Sequence, residues 1–240
     1  MEFSNKTFET FYKLFKPKVY TFDDSKDRSF WEMMDGVSDY DFENKKVPFK
    51  KVLDTLYAES TPLGNTILDL GSGPNPISYL IKDRNKKIIT VDFVNPNQKY
   101  HKDLHINRNI KSIFNKDSFA FKRTLLEISK YLNIDPRVSK KESIDTIILS
   151  DILNYLPYKS LFTELKKYLK PGGVIIIYNQ PDRTFKEKEF ILDKDGPKSN
   201  SEMISFLTKE LDLKLIFARE AENSNNYEGE KNMMSCFRKK

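Results

Sequence analysis

The sequence predicts an α/β fold built around a parallel sheet, and three observations carry that expectation. Beyond Leu63, short apolar segments alternate with amphipathic segments at helical spacing. One apolar segment runs directly into a glycine turn, Gly71-Ser72-Gly73, followed by Pro74 and Pro76. Another follows Pro171-Gly172-Gly173, a strong helix stop.

From the N-terminus, Phe8, Phe11, Tyr12 and Phe15 are spaced for one helical face. Residues 18–46 are rich in aromatics and acids but show little period. Val52, Leu53, Leu56 and Tyr57 then place a helical stripe on residues 48–57. The turn-rich Thr61-Pro62-Leu63-Gly64 divides the chain into a helical appendage, residues 1–62, and a core, residues 63–240.

Seven strands are expected in that core: 66–70, 87–92, 110–115, 146–150, 174–178, 213–219 and 232–237. Helices lie between them. Ile77, Leu80 and Ile81 begin one, residues 121–132 form another, and residues 160–169 carry Leu161, Phe162, Leu165 and Leu169 on one side. Ser199-x-x-Glu202 fits a capping box ahead of Ile204, Leu207 and Leu211.

Composition narrows the class. With 240 residues, 38% of them hydrophobic, the chain has enough material for a real core, and no short period marks a fibre or a repeat. The longest apolar runs are far below the roughly 20 residues of a membrane span. No secretory signal pattern opens the chain, and Cys236 is its only cysteine, so a reducing, cytoplasmic setting is expected. The formal charge of +6 is uneven: residues 1–62 hold 10 basic against 12 acidic side chains, residues 82–141 hold 15 against 6. That excess reads either as a solvated lysine-rich surface or as a polyanion site. The basic residues are 33 Lys and only 8 Arg, whereas specific nucleic-acid readers lean on arginine forks.

The stretch from Thr66 to Ser78, TILDLGSGPNPIS, is the most informative. Glycine allows a sharp turn and close approach of a ligand, and Pro76 suits the first turn of a following helix. Twenty-one residues after Gly71, the next strand ends in Asp92. An acid there accepts both hydroxyl hydrogens of a ribose, so the pair points to an adenosine-containing ligand. A dehydrogenase fingerprint reads GxGxxG; here the turn reads GSGPNP, with Pro76 where the third glycine belongs.

These motifs resemble the class I S-adenosylmethionine-dependent methyltransferases. In ILDLGSGPN, Asp69, Gly71 and Gly73 match the first motif and Asn75 stands at the third glycine. Asp92 matches the second motif, with Phe93 beside the adenine. Asp117-Ser118 matches the third, and Asp103 is the competing choice. The fourth motif resembles IDTIILSDILNYL, with Ser150 and Asp151 at the strand tip, and LKPGGVIIIYN follows as the family's helix–turn–strand. The resemblance covers residues 63–240. It implies a Rossmann-like seven-stranded, mostly parallel sheet closed by a C-terminal antiparallel hairpin. It also implies S-adenosyl-L-methionine as cofactor, held by Asp69, Gly71, Ser72, Gly73, Asn75, Asp92, Phe93, Asp117, Ser118 and Ser150.

Methyl transfer is an in-line displacement that needs orientation and exclusion of water, with a base only if the acceptor must lose a proton. Asp151, Asn154 and Tyr155 are the substrate-side candidates, because strand-end loops in open α/β sheets face the ligand crevice. Against this, Asp151 has the chemistry to cap the next helix, with Tyr155 packed beneath it. His101 and His105 read as a surface pair on a helix. No metal is expected: Asp151 is matched only by Asn179-Gln180 at the fifth strand, a poor ligand set for a divalent cation. The fourth strand lacks the prolines of the amino-methylating nucleic-acid enzymes. A small-molecule acceptor is therefore the first expectation, and an RNA acceptor gripped by residues 82–141 the alternative. Residues 1–62 serve either as a lid over the site, with 39–49 its moving part, or as an outer packing or dimer element. Tyr20, Trp31 and Tyr40 line a pocket or pack on the sheet edge.

Overall fold

The computed structural model describes residues 35–92, 94–96, 104–107, 142–179, 196–220 and 232–240. The expected helices at 5–16 and 121–132, and residues Tyr20, Trp31, Phe93, His101, Asp103, Asp117 and Ser118, lie outside them. So does the side chain of Tyr40.

The described elements are α1 (Asp35–Ala58), β1 (Thr66–Leu70), a 3₁₀ turn (Ile77–Leu80), β2 (Lys87–Asp92) and β3 (Leu104–Asn107). After these come β4 (Ile144–Ser150), a second 3₁₀ turn (Leu153–Tyr155), α2 (Tyr158–Tyr168) and β5 (Leu169–Asn179). The chain closes with α3 (Asn200–Ser205), which continues as a π turn (Phe206–Glu210), then β6 (Leu213–Glu220) and β7 (Met233–Lys239). The seven strands form one sheet in the order β3-β2-β1-β4-β5-β7-β6. Strands β1 to β5 pair in parallel, and β7 runs antiparallel to both β5 and β6. This is the expected mostly parallel sheet with its antiparallel C-terminal hairpin.

Alternating side chains feed two cores, as the two-residue period of a strand requires. On one face Ile147, Leu149, Ile175 and Ile177 meet Leu161, Phe162 and Leu165 of α2 and Met203 and Leu207 beyond it. On the other, Ile148, Val174 and Ile176 meet Phe49, Val52 and Leu56 of α1. The helical stripe therefore runs through Phe49, Val52 and Leu56, while Tyr57, expected on it, is 88% exposed. A stripe at i, i+3 and i+7 puts the next residue, Tyr57, about 100° off the buried line.

Three expectations are corrected. The strand beside β2 is Leu104–Asn107, where none was expected, paired from Ile89↔Leu104 to Asp92↔Asn107, and the strand expected at residues 110–115 lies outside the described residues. His105 consequently sits in β3 rather than on a helix, its Nδ1 3.0 Å from Thr90 Oγ1. The helix expected at Ile77 is a single 3₁₀ turn, because Asp83 stops the chain: its carboxylate accepts the Asn85 N–H and its carbonyl the Lys86 N–H. Elsewhere local chemistry behaves as read. Ser199 Oγ accepts the Glu202 N–H at 3.0 Å, and the Glu202 carboxylate reaches back to the Lys198 N–H at 3.1 Å. No described helix is long and apolar enough to cross a membrane.

Candidate cofactor and acceptor site

In this sheet order the chain leaves β1 toward β2 on one side and reaches β4 on the other, so the strand order switches between β1 and β4. Open α/β sheets bind ligands at the carboxyl ends of the strands at such a switch point. The residues singled out in the sequence gather there: Asp69 and Gly71 at the end of β1, Asp92 at the end of β2, Ser150 and Asp151 at the end of β4.

The glycine turn is tied to β2 by the Gly71 N–H, which donates to the Val91 carbonyl at 2.9 Å. Gly71 has φ +70°, and a Cβ there would stand 2.1 Å from Ile152 Cγ2. The β1 and β4 loops thus touch at the switch point only because Gly71 has no side chain. Gly73, φ +60°, is different: a Cβ there would meet nothing within 4 Å among the described residues, so its outer face is open to them. Asp92 accepts the Gly73 N–H at 3.0 Å and the Val94 N–H at 2.9 Å, one on each oxygen. These bonds fix its carboxylate beside the glycine turn.

Asp69 is fully buried beneath the turn and accepts the Ser78 N–H at 3.3 Å. Burial pushes its carboxyl up to about 6, against the pull of hydrogen bonds from Ser78 and of the Lys45 charge. Its other oxygen has no partner among the described residues, and neither do the buried Ser72 Oγ, Ser150 Oγ and Asn179 Oδ1. Asn75 is buried in the same turn.

At the β4 tip, Asp151 adopts φ +54°, a left-handed conformation that Asp tolerates better than most residues. Its N–H donates to the Tyr178 carbonyl at 2.8 Å. It caps no helix: the following 3₁₀ turn starts from Ile152 and α2 from Pro157, neither with a side-chain cap. Its carboxylate instead meets Lys45 of α1, Nζ to Oδ2 2.5 Å, and the same ammonium lies 5.4 Å from the centre of the Tyr178 ring. Asn154 accepts a long bond from Asn179 Nδ2, 3.4 Å. Tyr155 lies in the 3₁₀ turn, its side chain outside the described residues.

Sequence reasoning missed Lys45, and named Asn179 only as a poor metal ligand and not for the acceptor side. The signal for Lys45 was present: positions 45, 49, 52 and 56 share one helical face, so a lysine heads the apolar stripe of α1. Asn179 ends an otherwise apolar strand fully buried, a place where an amide needs a reason. Among the described residues, no three of His, Cys, Asp or Glu converge to hold a metal.

The sequence matches the methyltransferase domain family over residues 40–220. No curated protein matches it. Among solved structures it is similar to the N-methyltransferase NodS from Bradyrhizobium japonicum WM9, at 14% identity over 82% of this chain and 97% of that one, TM-score 0.53. It is similar to magnesium protoporphyrin IX methyltransferase (ChlM) from Synechocystis PCC 6803 with bound SAH, at 10% identity over 98% and 95%, TM-score 0.52. A third is Burkholderia thailandensis 1,6-didemethyltoxoflavin-N1-methyltransferase with bound 1,6-didemethyltoxoflavin and S-adenosylhomocysteine, at 12% identity, 93% of each chain and TM-score 0.50. At these identities the likeness is one of fold. Sheet order, glycine turn, acid at the β2 tip and a family match over three quarters of the chain agree: the protein belongs to the methyltransferase domain family and has the Rossmann-like fold of the class I S-adenosylmethionine-dependent methyltransferases.

Proposed function

We propose that the protein transfers a methyl group from S-adenosylmethionine to a small-molecule acceptor. The observation that carries this reading is the pairing of Asp92 with the glycine turn. Its carboxylate is oriented by the Gly73 and Val94 N–H groups, beside a glycine whose open face meets no described residue. An adenosine ligand fits these residues: Asp92 for the ribose hydroxyls, and Gly71, Ser72, Gly73 and Asn75 for close backbone approach. Ser72 Oγ and Ser150 Oγ are buried polar atoms for which a ligand supplies partners. Asp69 supports the turn from below through Ser78. Phe93, Asp117 and Ser118 complete the cofactor set by family likeness.

When bound, the cofactor supplies an electrophilic methyl group for in-line displacement by the acceptor. The chain's part is to hold the acceptor and keep water away. Asp151, Asn154 and Tyr155 are assigned to the acceptor side, joined by Asn179 through its contact with Asn154. Two of the similar proteins are a magnesium protoporphyrin IX methyltransferase and a 1,6-didemethyltoxoflavin-N1-methyltransferase, which supports a small acceptor here. Residues 1–62 act as the cap of this site, since α1 delivers Lys45 to the β4 tip. A cytoplasmic setting accords with one cysteine, Cys236, buried in β7.

Isothermal titration with S-adenosylmethionine and S-adenosylhomocysteine tests the cofactor. Heat with both, lost in Asp92→Ala, is expected; no heat with either rejects the reading. The second reading, an RNA acceptor, rests on the excess of 15 basic over 6 acidic residues in 82–141. Salt-sensitive retention on tRNA or rRNA at physiological ionic strength would replace the small-molecule acceptor with it.

A further inference from the structure

Along β5, Ile175, Ile177 and Asn179 point to the α2 side of the sheet, and the two isoleucines belong to the core there. Asn179 continues that row and is fully buried, yet it carries an amide. Its Nδ2 donates to Asn154 Oδ1 over a long 3.4 Å, and its Oδ1 has no partner among the described residues. A buried carbonyl oxygen left unpaired is destabilising, and a leucine of similar size would continue the row without that cost. Stability does not account for an asparagine here.

The register says where this oxygen stands. The last β4–β5 pair is Ser150↔Tyr178, so Asn179 lies one residue past the tip of β4. Asn154 lies in the 3₁₀ turn that follows that tip, Leu153–Tyr155. The amide thus links the two strand tips at the carboxyl end of the sheet, where open α/β sheets take their ligands. Since Nδ2 is turned to Asn154, the oxygen is the end left for a ligand, and it can only accept. A carboxylate or thiolate set against it would bring lone pair to lone pair. An N–H or O–H would complete it. The proton decides between those two. A carboxamide is no base, and Asp151, the carboxylate at the same strand tip, is paired with Lys45 at 2.5 Å. A hydroxyl must give up its proton on methylation, whereas an amine need not.

We propose that Asn179 is a specificity residue for an amine acceptor, its Oδ1 accepting an N–H of the nitrogen to be methylated. This deepens the small-acceptor reading above and rests on it. Holding the hydrogen leaves the nitrogen lone pair free to attack. That lone pair forms the new N–C bond, the C–S pair goes to sulfur, and the hydrogen on Oδ1 stays on nitrogen in the ammonium product. No proton has to pass to Asn179. The oxygen is already shielded from water, so little further desolvation of the protein accompanies the bond.

A panel of three carbon skeletons, benzyl, phenethyl and propyl, each as amine, alcohol, carboxylic acid and thiol, tests this. Each is offered with S-adenosylmethionine, and released S-adenosylhomocysteine is measured. The amines should be the substrates. Asn179→Leu should lower kcat/KM for the best amine by about tenfold to a hundredfold, while S-adenosylhomocysteine affinity stays within about twofold by calorimetry. In urea without ligand, Asn179→Leu should unfold no more readily than the wild type, the reverse of what a structural amide would show. Asn179→Asp keeps the shape and an accepting oxygen, so it should retain more of the amine turnover than Asn179→Leu. An alcohol, acid or thiol as the best acceptor, or turnover of no member of the panel, overturns the amine assignment and leaves the cofactor reading intact. So does undiminished amine turnover or easier unfolding in Asn179→Leu, or an equal loss in both variants. Wild-type protein that binds neither S-adenosylmethionine nor S-adenosylhomocysteine overturns both.

Discussion

The two ends of the same sheet treat their polar groups in opposite ways. At the amino ends of the parallel strands, the protein satisfies itself. Asp145, at the head of β4, accepts the N–H groups of Asn65 and Thr66, at 3.1 and 2.9 Å, and the Lys170 ammonium at 2.7 Å. Lys239 at the end of β7 donates to Glu142 and to the carbonyls of Lys166 and Leu169, which covers the last turn of α2. Arg238 Nε has no partner there, but its guanidinium still reaches Glu59 at 3.3 Å. At the carboxyl ends, Asp69, Ser72, Ser150 and Asn179 each bury an oxygen with no partner among the described residues. An unpartnered buried polar atom costs about 1–3 kcal/mol. The closed end and the two apolar cores offset that cost, and the open end keeps donors and acceptors in place for a ligand.

Two glycines break this contrast most directly. Gly64 and Gly71 share φ +70°, and at each a Cβ would stand 2.1 Å from a neighbour, Asp145 Cβ at the closed end and Ile152 Cγ2 at the open end. Alanine at either position should cost about 2–4 kcal/mol, combining a left-handed residue with local overpacking. Only Gly71→Ala should also weaken S-adenosylhomocysteine, by about a hundredfold or more, because it separates the β1 and β4 loops. Melting curves and titrations on both variants check this. Comparable affinity loss in Gly64→Ala would mean that the two ends are not separable.

The next largest effect comes from the two carboxylates that hold backbone N–H groups. Asp92→Ala orphans the Gly73 and Val94 N–H groups and removes the acid assigned to the ribose, so affinity should fall about 30-fold or more. Asp145→Ala orphans two N–H groups in the same way. It should cost about 2 kcal/mol of stability while affinity stays within about twofold. Denaturant melts beside titrations separate the two outcomes.

How far the sequence foretold this division depends on which kind of signal a residue carries. Strands β1 and β2 are bounded as expected because their ends are marked by chemistry, Gly71 after one and Asp92 at the tip of the other. Strand β3 was not expected because LHIN, although Leu104 and Ile106 alternate with His105 and Asn107, is only four residues long and carries just two apolar side chains; the strand expected at 110–115 lies outside the described residues. The open end was readable wherever glycine or an acid ends a strand. The place of Lys45 at the head of the α1 stripe was readable too, but its pairing was not, since Asp151 is distant in sequence and only the packing of α1 on the sheet brings them together. Nor was the closed end: Asp145, Lys170 and Lys239 look like ordinary surface charges until the strands are stacked.

Asp69 gives the open end a pH signature. Burial raises its carboxyl from the ordinary 3.8 to about 6, so the folded protein binds a proton that the unfolded chain has released. Stability should therefore rise as pH falls from 7 toward 4, and be lost as pH rises through about 6, by at most about 3 kcal/mol for a shift of this size. Asp69→Asn should remove that component, and the difference between wild-type and variant unfolding free energies at pH 5 and 7.5 measures it. A difference that does not change with pH would mean that Asp69 is solvated in the native protein.

The smallest effect is expected midway between the two ends, at Cys236. It pairs with Ile176 in the centre of the β5–β7 ladder and is fully buried. Burial pushes its thiol up to about 12, with Arg238 pulling weakly the other way, so almost no thiolate exists at neutral pH. A thiol reagent should leave the native protein unlabelled and react only through unfolding. That makes the thiol a reporter of both ends at once. Gly64→Ala and Gly71→Ala should each speed labelling by the factor their lost stability sets. Saturating S-adenosylhomocysteine should slow it by 1 + [L]/Kd in the wild type and in Gly64→Ala, and leave Gly71→Ala almost unchanged. Labelling that ignores the ligand in the wild type would show that the C-terminal hairpin opens locally, without the sheet. The closed end would then be less securely closed than Lys239 makes it look.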